Sequence, residues 1–290
     1  MDISILIVSF NTRKLTLECL QSVYASQTEY EFEVTVIDND SSDDSVSQIR
    51  KHFPQVRVIA NRQNVGFAKA NNQGIALANG RYVLLLNSDT TVEADTLQKM
   101  TDFMEEHPHA GAGGCRVDLP DGSLDKACKR GFPTPSASFY YAFGIARLFP
   151  RVPRFNQYQL GYLDPQQTHK IDCLVGAFML VRKAVIDQIG PLDEQFFMYG
   201  EDIDWCYRIK QAGWDVYYYP GTRIIHHKGA SSRRKPLKIV YEFHRAMAIF
   251  HNKHYSSRYP FWINGLVYTG VAVKLTAAVI KNVIIKRQTV

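Results

Sequence analysis

Residues 3–10 (ISILIVSF) form an almost unbroken apolar run, the pattern of a parallel strand buried on both faces. Leu15, Leu17, Leu20 and Val23 then recur at helical spacing, predicting a helix over residues 12–25. Short apolar runs at 32–37, 56–60 and 82–86 predict three more strands. Helical stretches at 45–52 and 69–78 lie between them, the second stopped by Asn79-Gly80. Strands alternating with helices imply an α/β fold with a doubly wound, mostly parallel sheet.

Residues 119–165 lose this periodicity and are rich in Pro and aromatic side chains, as expected of a long excursion or lid. The aromatic stretch at 139–143 has two readings, contact with lipid or acceptor and filler beneath the lid. Pattern returns with a strand over 172–182, a helix over 183–189, a helix ended by Gly213, and short strands at 216–219 and 223–226.

The tail differs in kind. Residues 261–285 are almost wholly apolar, interrupted by Asn264, Lys274, Lys281 and Asn282. Lys274, Lys281 and Gln288 fall seven apart on one helical stripe, and a lysine at mid-bilayer costs about 2.5–3.5 kcal/mol. The leading expectation is therefore a helix lying in the membrane interface, with Tyr259 and Trp262 at its start. Spanning, dimerisation and packing on the protein are the alternatives.

Charge sharpens this contrast. Residues 221–290 hold 13 Lys/Arg and one acid, a net of +12, and the preceding 220 residues carry a net of −6. A mildly acidic body with a basic tail points to an anionic partner for the tail. Five cysteines without CxxC spacing imply neither a disulfide framework nor structural zinc, and so a reducing compartment. The N-terminus lacks the basic and apolar regions of a signal peptide, which places the catalytic part in the cytosol.

Three acidic stations carry the candidate chemistry. Asp38, Asp40 and Asp43 follow the second strand, Asp89 follows the fourth, and Glu201, Asp202 and Asp204 open a helix. Ligands on such sheets bind beyond the carboxyl ends of the strands, where the first two stations fall. One carboxylate there can hold ribose hydroxyls or a base edge, and another a divalent metal shared with substrate phosphates. The third station supplies a general base kept ionised by the helix N-terminus.

In order along the chain, residues 8–11 (VSFN), 36–43 (VIDNDSSD), 64–74 (NVGFAKANNQG), 84–89 (LLLNSD), 196–204 (FFMYGEDID) and 226–232 (HHKGASS) resemble the family 2 glycosyltransferases of GT-A fold, within them the rhamnosyltransferase-like enzymes. The resemblance implies a glycosyltransferase domain over 1–232 and a helical, membrane-associating extension over 233–290. It implies that Asp38, with Asp40, Ser9 and Asn11, binds the nucleotide, and that Asn64, Gly66, Phe67 and Asn71 form a nucleotide-sugar loop. Asn87, Ser88 and Asp89 match a metal-binding DxD-like motif with Asn87 in place of its first acid. Asp89 and His226 (His227 as fallback) would bind Mg2+ or Mn2+, and the missing charge leaves strict metal dependence open. Asp202 matches the catalytic base of inverting enzymes, Asp204 is second choice, and Glu201 would position the acceptor. Trp205 and Arg208 are expected to pack the helix, and Lys228, Arg233, Arg234 and Lys235 to meet diphosphate or solvent.

The resemblance further implies a nucleoside-diphosphate sugar donor, dTDP-rhamnose being the leading candidate, and a polyprenyl-diphosphate-linked saccharide acceptor. It places the protein in surface polysaccharide (O-antigen or capsule) synthesis, peripherally bound to the inner face of the cell membrane. Rival readings are a UDP-sugar donor (galactofuranose, galactose or N-acetylglucosamine) and a non-catalytic nucleotide-sugar-binding module. Nucleic acid is excluded as a partner because the tail is mostly apolar and carries no recognition motif; oligomerisation is left open.

Overall fold

The apolar runs of the N-terminal half become β1 (Ile3–Ser9), β2 (Phe32–Asp38), β3 (Arg57–Ala60) and β4 (Tyr82–Asn87), with α1 (Arg13–Tyr24), α2 (Ser45–His52) and α3 (Phe67–Ile75) crossing between them. The computed structural model describes residues 1–227 and 237–288. β1 pairs in parallel with β2 and with β4, in a register that sets Ser9 beside Asp38 and Val8 beside Asn87. Three chemically marked turns therefore emerge at one edge of the sheet.

The chain continues through β5 (Thr90–Val92), α4 (Thr96–Glu106), β6 (Ala110–Asp118), α5 (Pro135–Ala142), α6 (Ile145–Leu148), β7 (His169–Ile171), β8 (Phe178–Arg182), α7 (Lys183–Ile189), α8 (Glu201–Gln211) and β9 (Asp215–His226). Among the described residues all nine strands join one sheet in the order β3-β2-β1-β4-β8-β6-β9-β5, with β7 also on β9. β8 runs antiparallel to both β4 and β6, so β6 and β9 share the direction of β1 to β4. The sheet is thus mostly parallel.

The strand expected over 172–182 shortens to β8, because Arg130 bridges Cys173 and residues 174–177 leave the sheet as a loop. The two strands expected at 216–219 and 223–226 are one, β9, with a register shift where Pro220-Gly221 intervenes. Within 119–165 the excursion carries only a 3-10 turn (Lys126–Cys128), α5 and α6.

α9 (Leu237–His254) packs on α8 through a small apolar cluster of Phe196, Tyr207, Ala246, Phe250 and Tyr255. α10 (Phe261–Gln288) follows, and its window Phe261–Ile284 is long and apolar enough to cross a membrane, with none of it buried. Phe261, Trp262, Leu266, Val273, Ile280 and Ile284 are all exposed. At 100° per residue all of them but Phe261 fall within about 40° of one another on one face, and Lys274 and Lys281 lie together on a neighbouring stripe.

Candidate functional site

The first two turns are stapled together before any ligand arrives. Asn11, in the left-handed region at φ 53, donates its backbone N–H to Ser41 Oγ at 2.8 Å. Its Oδ1 accepts from Ser42 N at 2.8 Å, and Asp43 accepts from Arg13 N at 2.8 Å. Asp38 is buried; its Oδ2 accepts from Ser41 N at 2.9 Å, while its buried Oδ1 has no hydrogen-bond partner. An acceptor left in that state costs about 1–3 kcal/mol, which a base N–H or ribose hydroxyl would recover. Ser9 lies beneath, sharing hydroxyl contacts with Thr12 and Thr16, and Thr12 in turn meets Ser88 Oγ at 3.0 Å. Asp40 sits exposed on the same loop at φ 69.

Gly66 has φ +89, and a Cβ built there would collide with the Phe197 carbonyl. Its close approach is therefore to protein backbone: Phe67 N donates to Phe197 O at 2.7 Å. Asn64 Oδ1 accepts from Gly66 N at 3.0 Å, and buried Asn71 donates to Phe67 O at 3.0 Å. Asn39, unremarked in the sequence, ties this loop to β2 by donating to Gly66 O at 3.2 Å. The Phe67 ring borders Gly176, whose Cβ position would lie 3.9 Å from Asp202 Cβ.

Asp89 and His226 meet across the neck between β4 and the end of β9, with Oδ1 3.2 Å from Nε2. Asn87 Nδ2 lies 3.4 Å from the same nitrogen, and Asp125 Oδ2 lies 3.5 Å from Nδ1. His227 turns away and meets Thr91 Oγ1 at 3.0 Å. Neighbouring ligands of a six-coordinate divalent ion are about 3 Å apart when each bond is about 2.1 Å, so the pair fits two adjacent positions. A carboxylate behind the imidazole is the usual support of a ligating histidine. Among the described residues no three His, Cys, Asp or Glu side chains converge as a metal cluster. Asp89 and His226 would therefore leave most positions to substrate oxygens and water. Asp125 is a second residue the sequence did not single out.

The third station divides. Asp202 Oδ2 pairs with Arg130 Nη2 at 2.6 Å, and both side chains are largely buried. Arg130 also donates to Leu174 O at 2.5 Å, tying Asp202 to the 174–177 loop, whose Ala177 carbonyl accepts from Asn87 N at 3.1 Å. Glu201 is buried, its Oε2 without a hydrogen-bond partner. Burial, and next the nearby Asp202 charge, push its carboxyl up to about 8, so it is largely protonated at neutral pH.

Asp204 does not join them. It is fully buried on the other face of α8, held by Arg208 at 2.8 Å, His254 at 2.7 Å and Lys253 at 2.8 Å. Burial raises its pKa, but the bonds from His254, Lys253 and Arg208 outweigh that and hold it down at about 2. A carboxylate so enclosed has no path to an acceptor hydroxyl, which corrects the expectation of Asp204 as alternative base. Trp205 and Arg208 do pack the helix, donating to carbonyls of residues 189–191. Lys228, Arg233, Arg234 and Lys235 lie outside the described residues.

Comparison with known proteins adds identity to this geometry. N-acetylglucosaminyl-diphospho-decaprenol L-rhamnosyltransferase of Mycobacterium tuberculosis is 29% identical over 234 residues, 77% of this chain and 75% of that protein. Rhamnosyltransferase WbbL of Escherichia coli is 27% identical over 237 residues, 79% of this chain and 84% of its own length. The crystal structure of GalNAc-T7 with UDP, GalNAc and Mn2+ matches with a TM-score of 0.62 at 15% identity, over 86% of this chain and 48% of that one, a likeness of fold. The Glycosyl transferase family 2 model matches residues 4–190, which span β1 to the end of α7 and hold the first two stations. With the resemblance carried by both of those stations and continued by Asp202 beyond them, the chain belongs to glycosyl transferase family 2 and is a glycosyltransferase.

Proposed function

We propose that the protein is an inverting glycosyltransferase that moves a sugar, L-rhamnose as the leading candidate, from a nucleoside diphosphate to a hydroxyl of a lipid-linked saccharide during surface polysaccharide synthesis. The observation that carries this reading is the placement of two unlike acidic centres on either side of the 174–177 loop. Asp202 borders that loop through Gly176, and the Asp89–His226 pair lies beyond Asn87, which the loop binds through Ala177. The names of the mycobacterial and E. coli relatives support the sugar, and the former supports a polyprenyl diphosphate carrier for the acceptor.

In this mechanism Asp38 accepts from the nucleoside, using the oxygen that has no protein partner. Phe67 and the Gly66 turn border the sugar on the side of Asp202. Asp202 takes the proton of the acceptor hydroxyl. The acceptor oxygen bonds to the anomeric carbon as the bond from that carbon to the diphosphate oxygen breaks, and the electron pair leaves with the nucleoside diphosphate. A divalent cation bound by Asp89 and His226 would offset charge on that leaving group. Glu201, neutral and adjacent, is able to donate a hydrogen bond to the acceptor without adding charge beside the base. α10 supports association with the membrane that carries the acceptor, and we place the protein at its cytoplasmic face.

Replacing Asp202 by Asn tests the assignment. General-base removal should lower transfer by about 10²–10⁴-fold with nucleotide binding retained, and undiminished transfer overturns the reading.

A further inference from the structure

Residues 125–130 have two working faces. Asp125 and Arg130 serve His226 and Asp202, while Lys126 and Lys129 line a separate, partly open cavity of about 560 Å³ whose other wall is the 141–165 segment. The mechanism above makes no use of it.

Its chemistry is one-sided. Lys126, Lys129 and Arg147 line it, and residues 126–163 hold six Lys/Arg and not one Asp or Glu. Lys129 is 4% exposed, and its ammonium is met by two carbonyls, Leu160 O at 2.9 Å and Leu163 O at 3.3 Å. Among the described residues no carboxylate lies within ion-pair distance of these three cations. Asp164, between the lining residues Leu163 and Pro165, acts on Lys129 by charge but makes no ion pair with it, and a buried cation without a paired anion is costly. Burial, the largest influence on it, accordingly lowers the Lys129 pKa. Asn156 adds a second, independent mark: it lines the cavity, is buried, donates to Pro150 O at 2.8 Å, and leaves Oδ1 without a partner. That oxygen asks for a hydroxyl or water from a ligand.

The same segment is apolar on its outer side. Tyr141 lines the cavity and is itself exposed, and beyond it Phe139, Phe143, Phe149 and Val152 face solvent, with Leu148 74% exposed. Arg147, Arg151 and Arg154 are interspersed among them. Contiguous exposed apolar side chains beside a cationic hollow are complementary to an amphiphile with an anionic head.

We propose that this cavity binds the diphosphate of an isoprenoid-linked acceptor on Lys126, Lys129 and Arg147, with the isoprenoid chain lying over the apolar surface of α5 and α6. This rests on the reading of the acceptor as lipid-linked. The polar linkage is held on the far side of the 125–130 wall from the metal-site pair, so donor and acceptor diphosphates occupy different cations.

The experiment is calorimetric binding of farnesyl diphosphate, inorganic diphosphate and farnesol to the full chain in detergent, in wild type and in the double variant Lys126→Glu/Arg147→Glu. Both positions are exposed, so the variant should fold, which thermal melting and nucleotide binding check. Farnesyl diphosphate should bind wild type at least roughly tenfold more tightly than either half-ligand, and the variant should lose roughly tenfold or more. Transfer assays with prenyl-diphosphate-linked N-acetylglucosamine should show the same loss as a rise in acceptor KM. Equal affinity of wild type and variant for farnesyl diphosphate overturns the site. So does inorganic diphosphate binding as tightly as farnesyl diphosphate, which makes it a plain anion site. So does loss in the variant of phosphatidylglycerol-vesicle binding without loss of farnesyl diphosphate, which makes it a general membrane contact. A wild type that binds farnesyl diphosphate in this variant-sensitive way yet glycosylates no prenyl-diphosphate acceptor would instead overturn the functional reading and leave the site standing.

Discussion

Arg130 Nη2 stands 2.6 Å from Asp202 Oδ2, joining two residues 72 positions apart in a place where both are nearly shut off from water. Removing one partner of such a pair leaves the other buried and uncompensated, which costs about 3–5 kcal/mol. Arg130→Met should therefore unfold at markedly lower urea concentration than wild type. An unchanged midpoint would show that the pair is solvated and loosely held.

Glu201 gives a pH signature of opposite sign to the usual carboxylate. Its ordinary value is 4.5 and its folded value about 8. Between those values the unfolded chain has released a proton that the folded protein keeps, so stability falls as pH rises through the window, by up to about 1.4 kcal/mol per pH unit. Glu201→Gln removes this dependence. The variant should gain on wild type steadily from pH 4.5 to 8 in chemical denaturation, and parallel profiles would refute the shift.

Asp204 behaves the other way. Its folded value of about 2 lies below the ordinary 3.8, so its contribution is present above pH 3.8 and is lost as pH falls through the folded value. Asp204→Asn leaves Arg208 and Lys253 facing a neutral amide and should cost about 3–5 kcal/mol at neutral pH. The loss should concentrate where α9 joins α8, so trypsin should cut α9 earlier in the variant than in wild type.

Metal dependence is testable at Asp89. If Asp89 and His226 bind a divalent ion together with the diphosphate, chelation weakens nucleotide binding in wild type, and Asp89→Ala binds weakly whether or not Mn2+ is present. Wild-type binding indifferent to chelator would assign the pair to structure alone.

The half of the fold that reads clearly from sequence is the half whose strands are continuous apolar runs, β1 to β4. β6 escaped notice because AGAGG offers only alanine methyls and glycines, too small to form a pattern. Its glycines are there for close packing: a Cβ at Gly113 would lie 2.9 Å from Met104 Sδ, and one at Gly111 would lie 2.7 Å from Trp214 Cβ. β5 and β7, three residues each, are too short to show an alternation. The acidic stations were visible because each ends a strand or opens a helix. Arg130 and Asp125 were not, since they lie in an aperiodic stretch and acquire roles only through partners 72 and 101 positions away. Asp204 misled for the complementary reason. Sequence places it two residues from Asp202, and on a helix that spacing means nearly opposite faces.

That two-residue spacing has a mechanical side. Asp202 pairs with Arg130 on one face of α8, and Asp204 on the other grips Lys253 and His254 at the end of α9. From there His251 bonds Asn264 at 2.8 Å at the start of α10. α8, which carries Asp202, and the apolar helix α10 are thus joined through one chain of contacts along α9. With α10 seated in lipid, the height of Asp202 above the membrane is set by the protein before any acceptor arrives. On the proposed function such a mounting would act as a ruler, favouring acceptors whose sugar stands at that height.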